Sequence, residues 1–373
     1  MYIVRLSLTI GALAMSLLLV GSPAASASAG PKVSVVASGL ENPRGLKFGP
    51  DGQLYVAEGG LGGTQTTTPQ QCQQVPEVGP YSGGFTARIS KVNPRSGARS
   101  TIVDNLPSSQ TTQQTGGFVS GVADVAFIED TLYALEAGAG CSHGLAGTVN
   151  SVLRVDRSGG TTQVTDLSSF VMSHPVAHPN AADFEPDGTW YSMVAKGNRL
   201  DVVEPNHGEV DVVTPRTGAI NRLVDVSASQ GHIVPTSLVR ADGGFLFSNL
   251  GLFEPNSPVA TGVWRLTNAG NVSLVAGRLT AVTGVAVNHG RIYALEAFTG
   301  FFAPAPPVAN TGTVVRLNLK ADAWETVVTG LSFPTAMIFD DNGNLFISNK
   351  GFGQPTNTAG EVVKVRLGPE DDD

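Results

Sequence analysis

The stretch Leu54-Tyr55-Val56-Ala57-Glu58 returns as LYALE at 132–136, LDVVE at 200–204, FLFSN at 245–249, IYALE at 292–296 and LFISN at 345–349. Each copy is a run of apolar, strand-forming residues closed by Glu or Asn. Each also sits inside a longer unit that reads as four short strands. Self-similarity at this spacing marks a repeat architecture before any local reading does. Six such units with no helical periodicity between them predict an all-β chain folded as a six-bladed β-propeller.

Working outward, Asn42-Pro43-Arg44-Gly45-Leu46-Lys47-Phe48 precedes the first copy and is joined to it by Gly49-Pro50-Asp51-Gly52. Proline presets φ and glycine accepts a positive φ, so this is a hairpin turn with a mechanism. The last unit offers strands near 335–339, 345–349 and 361–366, and its fourth is missing. The segment from Lys32 to Ala37 is spare at the other end. The N-terminal strand is therefore expected to complete the last blade, which would remove two open sheet edges.

Connection lengths are uneven. First-to-second turns are short, as are third-to-fourth turns. Second-to-third connections are long at 59–86, 137–148, 250–261, 297–312 and 350–360, and the links at 106–120 and 168–190 are long as well. In a propeller all of these fall on one end of the ring. Long loops gathered on a rigid scaffold are the usual carriers of function.

The chain carries 23 Lys and Arg against 31 Asp and Glu, a net charge of −8, with only 14% charged residues. That excludes the basic stripe of a nucleic-acid binder and disfavours docking on anionic lipid. Residues 1–29 combine a short basic start, an apolar run from Leu6 to Val20 and Ala-x-Ala sites at 25–27 and 27–29. This reads as a secretory signal peptide. The propeller is expected over 30–368 and an acidic tail over 369–373, in a secreted or periplasmic protein with no membrane insertion.

Two cysteines, Cys72 and Cys141, lie in second-to-third loops of neighbouring blades, and in an exported protein a disulfide is expected between them. A reactive thiol pair or a Cys141/His143 metal site is the other reading. The six-fold Glu/Asn reads as a structural repeat that closes loops or pairs with strand bases such as Lys91, Arg154, Arg265, Arg316 and Lys364. No P-loop, dinucleotide fingerprint or G-x-S-x-G elbow occurs, and no cofactor is expected. Channel-lining positions near the mouth should be Arg44, Ala123, Tyr191, Thr236, Thr283 and Thr335, with Asp124 one residue deeper. This set can hydrogen-bond a polar ligand but offers a divalent cation few donors. Phe298 and Phe301 begin an aromatic, proline-rich loop that could meet a partner or a flat ligand.

Three phrases carry a family resemblance: Asn42-Pro-Arg-Gly-Leu through Gly-Pro-Asp-Gly to Glu58, Val202-Val-Glu-Pro-Asn-His-Gly-Glu-Val210, and Gln230-Gly-His-Ile-Val-Pro-Thr236. They resemble the secreted propellers of the ScyD/ScyE type, and the first phrase also resembles NHL-like and gluconolactonase-like propellers. The resemblance implies an exported six-bladed propeller and brings no catalytic residue with it. The expected function is non-catalytic recognition of a glycan, a small aromatic molecule or an envelope protein. Arg44, Tyr191, Thr236 and Thr283 would supply polar contacts, and Phe298 and Phe301 would stack beside them. The alternatives are a metal-dependent lactonase or esterase with Asp124 as one ligand, and a purely structural role.

Overall fold

The computed structural model describes residues 31–76, 78–112, 117–251, 260–298, 308–352 and 359–367. Six antiparallel sheets form six blades of a β-propeller. Blade one holds β2 (Pro43–Phe48), β3 (Leu54–Glu58), β4 (Ser82–Val92) and β5 (Arg99–Gln110), with a short fifth strand β6 (Val119–Ser120) paired to the end of β5. Blade two is β7 (Val122–Ile128), β8 (Thr131–Glu136), β9 (Ser151–Val155) and β10 (Thr161–Asp166). Blade three is β11 (Ser192–Lys196), β12 (Arg199–Glu204), β13 (Glu209–Thr214) and β14 (Ala219–Asp225). Blade four is β15 (Pro235–Ala241), β16 (Gly244–Asn249), β17 (Val263–Thr267) and β18 (Val272–Ala276). Blade five is β19 (Val282–Asn288), β20 (Arg291–Glu296), β21 (Gly312–Asn318) and β22 (Ala323–Leu331).

Blade six contains β23 (Ala336–Phe339), β24 (Leu345–Asn349) and β25 (Gly360–Arg366), and its outer strand is β1 (Lys32–Leu40). The β1–β25 ladder runs from Lys32↔Arg366 to Leu40↔Gly360, so the expected ring closure by the N-terminal strand is present. The hairpin glycine behaves as its turn requires: Gly52 has φ 68° and donates its N–H to the Gly49 carbonyl at 2.9 Å.

Each of the six blade interfaces has its own apolar cluster. Between blades two and three, Ala126, Leu135 and Val152 meet Met193, Leu200, Val202 and Trp190. Between blades five and six, Tyr293, Leu295 and Val314 meet Met337, Leu345 and Ile347. Alternation along each strand places one apolar face on each neighbouring blade, so a wedge-shaped ring buries both faces of every sheet.

Two short helices interrupt links that the sequence reading left without helix. α1 (Leu167–Ser173) starts at Asp166, whose carboxylate accepts the Ser169 N–H at 2.8 Å. α2 (Ser227–Gln230) occupies the link between blades three and four. Among the described residues no helix is long and apolar enough to cross a membrane.

Candidate functional site

First strands run from the long-loop face to the short-turn face and line the axis. Their residues enclose a narrow cavity of about 80 Å³ walled by Arg44, Lys47, Asp124, Tyr191, Thr283 and Thr335, among others. Arg44 is the second residue of β2, at the long-loop end, and Lys47, three residues further along the strand, reaches toward the short-turn face.

The mouth is held by hydrogen bonds that run from blade to blade around most of the ring. Within blade one, the Arg44 guanidinium donates to the Val119 carbonyl of β6. Asp124 accepts the Met193 N–H at 2.8 Å, and Ser192 Oγ accepts the Leu238 N–H at 3.2 Å. Thr236 Oγ1 donates to the Val282 carbonyl at 2.7 Å, Thr283 Oγ1 to that of Pro334 at 3.0 Å and Thr335 Oγ1 to that of Pro43 at 2.7 Å. Five of the six blade junctions are thus bridged. The hydroxyl protons of Thr236 and Thr283, expected to face a ligand, serve these braces.

Tyr191 does something different. It belongs to blade three, and its hydroxyl donates to the Thr335 carbonyl of blade six at 2.8 Å. Blades three and six are opposite each other in a ring of six, so the phenol bars the mouth. Burial raises its pKa, so it remains a protonated donor at neutral pH. Burial also pushes Arg44 down from its usual value, with the Tyr191 interaction working the other way.

Among the described residues Asp124 is the one carboxylate on the cavity wall. One oxygen accepts the Val125 N–H at 2.8 Å, and the other takes the Met193 N–H and the Ser192 hydroxyl, the latter at 3.3 Å. Burial raises its pKa, opposed first by Lys47. Gly45 must lack a side chain here, because a Cβ would fall 2.0 Å from Asp124 Oδ1.

Phe298 does not face the channel. It is 2% exposed and sits with Phe333, Ala281 and Ala297, its ring 6.3 Å from Phe333 and 6.2 Å from Phe352. Phe301 lies outside the described residues.

The disulfide forms between Cys72 and Cys141, with Cα atoms 6.1 Å apart, and ties the long loops of blades one and two together. Beside it lies a buried polar network. His143 Nδ1 is 2.7 Å from Ser109 Oγ, and its Nε2 is 3.3 Å from Glu185 Oε2. The Tyr81 hydroxyl donates to Glu185 Oε1 at 2.9 Å. Burial, with Glu185 adding to it, keeps that phenol protonated. Asp187 accepts the Ser142 N–H at 2.7 Å, and Asn150 Nδ2 donates to the Gly188 carbonyl at 2.6 Å. Ser109, His143 and Glu185 have the composition of a nucleophile–base–acid relay. Ser109 and His143 are both 0% exposed, so this line clamps loops rather than meeting a substrate.

The six-fold Glu/Asn closes loops in most blades. Glu58 accepts the Glu41 N–H, Glu204 that of Thr189 at 2.8 Å, Glu296 that of Thr280 at 2.7 Å and Asn349 that of Ser332 at 2.8 Å. Each ties the end of a second strand to the chain coming into its own blade. The expected cross-strand pairing with a base occurs at Glu58 and Arg88, at 3.1 Å. Lys91, Arg154, Arg316 and Lys364 instead pair with Asp51, Asp156, Glu325 and Asp340.

Lys47, Ser192 and the His143–Glu185 contact were not singled out in the sequence. Lys47 was findable, lying three residues past Arg44 on a channel strand. The others join residues of different blades and leave no local signal.

The fold is shared with solved propellers of low identity. A glucose dehydrogenase covers 90% of this chain and 99% of its own at 14% identity and a TM-score of 0.53. A candidate oxidoreductase (glucose dehydrogenase) from Thermus thermophilus covers 90% and 100% at 18% identity and 0.53. A candidate gluconolactonase covers 91% and 93% at 13% identity and 0.51. At such identities the likeness is one of fold. No family profile and no curated protein sequence matches the chain.

Proposed function

We propose that this chain is an exported, non-catalytic binding propeller of the ScyD/ScyE type, with residues 1–29 as its signal peptide, that takes a small polar or aromatic ligand at the mouth of its channel on the long-loop face. The observation that carries this reading is Tyr191, a phenol laid across the mouth beside Arg44 and able to exchange its bond to the Thr335 carbonyl for one to a ligand. Loops fixed by the disulfide and by buried polar contacts surround that mouth, which keeps a site in place without ordering it at the moment of binding.

The test is a thermal-shift and calorimetric screen of small glycans and phenolic compounds against the wild type and an Arg44→Ala/Tyr191→Ala double variant. Ligands that bind the wild type should lose measurable affinity for the double variant. Unchanged affinity would remove the site from the channel mouth.

The lactonase reading has the shared propeller fold on its side. The metal that such a reaction would employ does not fit the donor set. Asp124 is committed to two backbone amides, and among the described residues no three His, Cys, Asp or Glu side chains converge as a metal cluster. Chelator-sensitive turnover of a lactone by the purified chain would nevertheless put that reading in front.

A further inference from the structure

The chain as a whole is acidic, with a net charge of −8, yet its axis is not. Two cations and one carboxylate face the central cavity: Arg44 at the mouth, Lys47 deeper, and Asp124. Among the described residues neither Arg44 nor Lys47 lies within ion-pairing distance of a carboxylate. Asp124 is balanced by Lys47 and accepts from two backbone N–H groups and a hydroxyl.

Arg44 therefore carries the unbalanced charge. A guanidinium has five N–H donors, and among the described residues Arg44 uses them for one bond, to the Val119 carbonyl. Arg44 is half-buried, and a partly desolvated cation with donors to spare favours an anion that reaches it from outside. The planar donor fork matches a carboxylate in two-point contact, better than it matches a spherical ion. Tyr191 stands beside it with a hydroxyl that can turn from the Thr335 carbonyl to a second acceptor.

From this we infer that the channel mouth binds the carboxylate end of a small organic acid, with Arg44 as the anion-binding residue and Tyr191 as the second donor. The inference rests on the channel-mouth reading above and specifies the ligand's charge. The cavity of about 80 Å³ has room for a handful of waters, so it admits an acetate-sized end group and leaves the rest of the acid among the loops. Asp124 sets the depth, because its carboxylate repels an anion pushed further along the axis. A phosphate dianion would need a second cation at the mouth, and Lys47 lies on the far side of Asp124's level.

The experiment is a calorimetric titration of the purified full chain with sodium acetate and, at equal ionic strength, with acetamide, which has the same shape without the charge. Phenol, a neutral probe for the mouth, is run in parallel. Acetate should bind about tenfold or more tightly than acetamide. Arg44→Gln should remove that preference, Arg44→Lys should restore part of it, and Tyr191→Phe should weaken acetate about threefold to tenfold. Equal binding of acetate and acetamide by the wild type overturns the inference, and that comparison needs no variant to fold. Acetate binding that survives Arg44→Gln in a folded variant overturns it as well. If phenol binds in a Tyr191-dependent way while acetate does not, the charge assignment falls and the channel-mouth reading stands. If none of the three probes binds, both fall.

Discussion

Around Cys141 the long-loop rim of blades one to three buries Tyr81, Ser109, His143, Asn150, Glu185 and Asp187, and around Phe298 the rim of blades four to six buries Phe333, Ala281 and Ala297 with Leu250 and Phe352 against them. The same four-strand repeat lies under both. Both halves have Glu or Asn loop closures, but one adds a disulfide and a buried His143–Glu185 network and the other adds an apolar cluster. The acids follow the same division. Glu136, Glu204, Glu209 and Asp211, all in blades two and three, are pushed up by burial. The comparison teaches that a repeat fixes strand order and leaves the rim chemistry free, so the two halves should respond to different perturbations.

The largest effect is expected at the covalent tie. Cys72 and Cys141 are 69 residues apart, and replacing both by Ala should cost about 4 kcal/mol on the loop-entropy estimate. Protection of the His143 and Ser109 amides from hydrogen exchange should fall with it, while that of the Phe298 region holds. A loss under about 1 kcal/mol would show that the polar network alone holds that rim.

Phe298→Ala probes the other half. Removing a fully packed ring from an apolar cluster costs about 3 kcal/mol, with little dependence on pH. Denaturant unfolding at two pH values measures both. An equally large loss of exchange protection around His143 would mean that the halves are not separate.

Acid–base linkage separates them further. Glu136 and Glu204 are each raised to about 8 by burial, against an ordinary 4.5. The folded state then holds protons that the unfolded chain releases between those values. The stability these groups contribute is complete below about 4.5 and is lost as pH rises through about 8. Stability, and with it the melting temperature, should therefore fall from pH 5 to pH 9, by on the order of 4 kcal/mol per group. Glu136→Gln keeps the acceptor for the Ala137 and Gly138 amides and should flatten that slope. A melting temperature that does not fall over this range would show both carboxyls ionised in the folded state.

The fold was legible because a strand repeat and a turn are local. The Leu54–Glu58 phrase, the Gly52 turn and the orphan strand at Lys32 each state their own conformation, and closure follows from counting strands. The Cys72–Cys141 bond was legible because blade order makes those loops neighbours. The site was legible only as positions. Arg44, Tyr191 and Asp124 were placed on the channel wall, but what each side chain touches lies far along the chain: Thr335 for Tyr191, Val119 for Arg44, Met193 for Asp124. Phe298 illustrates the same limit. An aromatic at the start of a long loop reads alike whether it faces solvent or packs beneath the rim, and the partners that bury it, Phe333 and Phe352, belong to the next blade. The helix α1 is seven residues long, too short to display a period.

The smallest effects test whether the two halves meet at the axis on equal terms. Thr236, Thr283 and Thr335 brace consecutive junctions, and Thr335 alone spans the point where the two ends of the chain join, by its bond to the Pro43 carbonyl. Valine preserves the shape of threonine and removes the donor, so each change should cost about 1 kcal/mol and leave a carbonyl unsatisfied. If the ring is uniform, the three losses are alike. If closure by β1 is the weak point, Thr335→Val costs most and also raises hydrogen exchange along the β1–β25 ladder, because blade six is completed by strand pairing between β25 and β1 while the chain itself runs on from β1 into blade one. Thr236→Val, inside an unbroken run of blades, then serves as the control. A larger loss at Thr236 than at Thr335 would place the weak junction within blades four and five, away from the closure and from the polar rim alike.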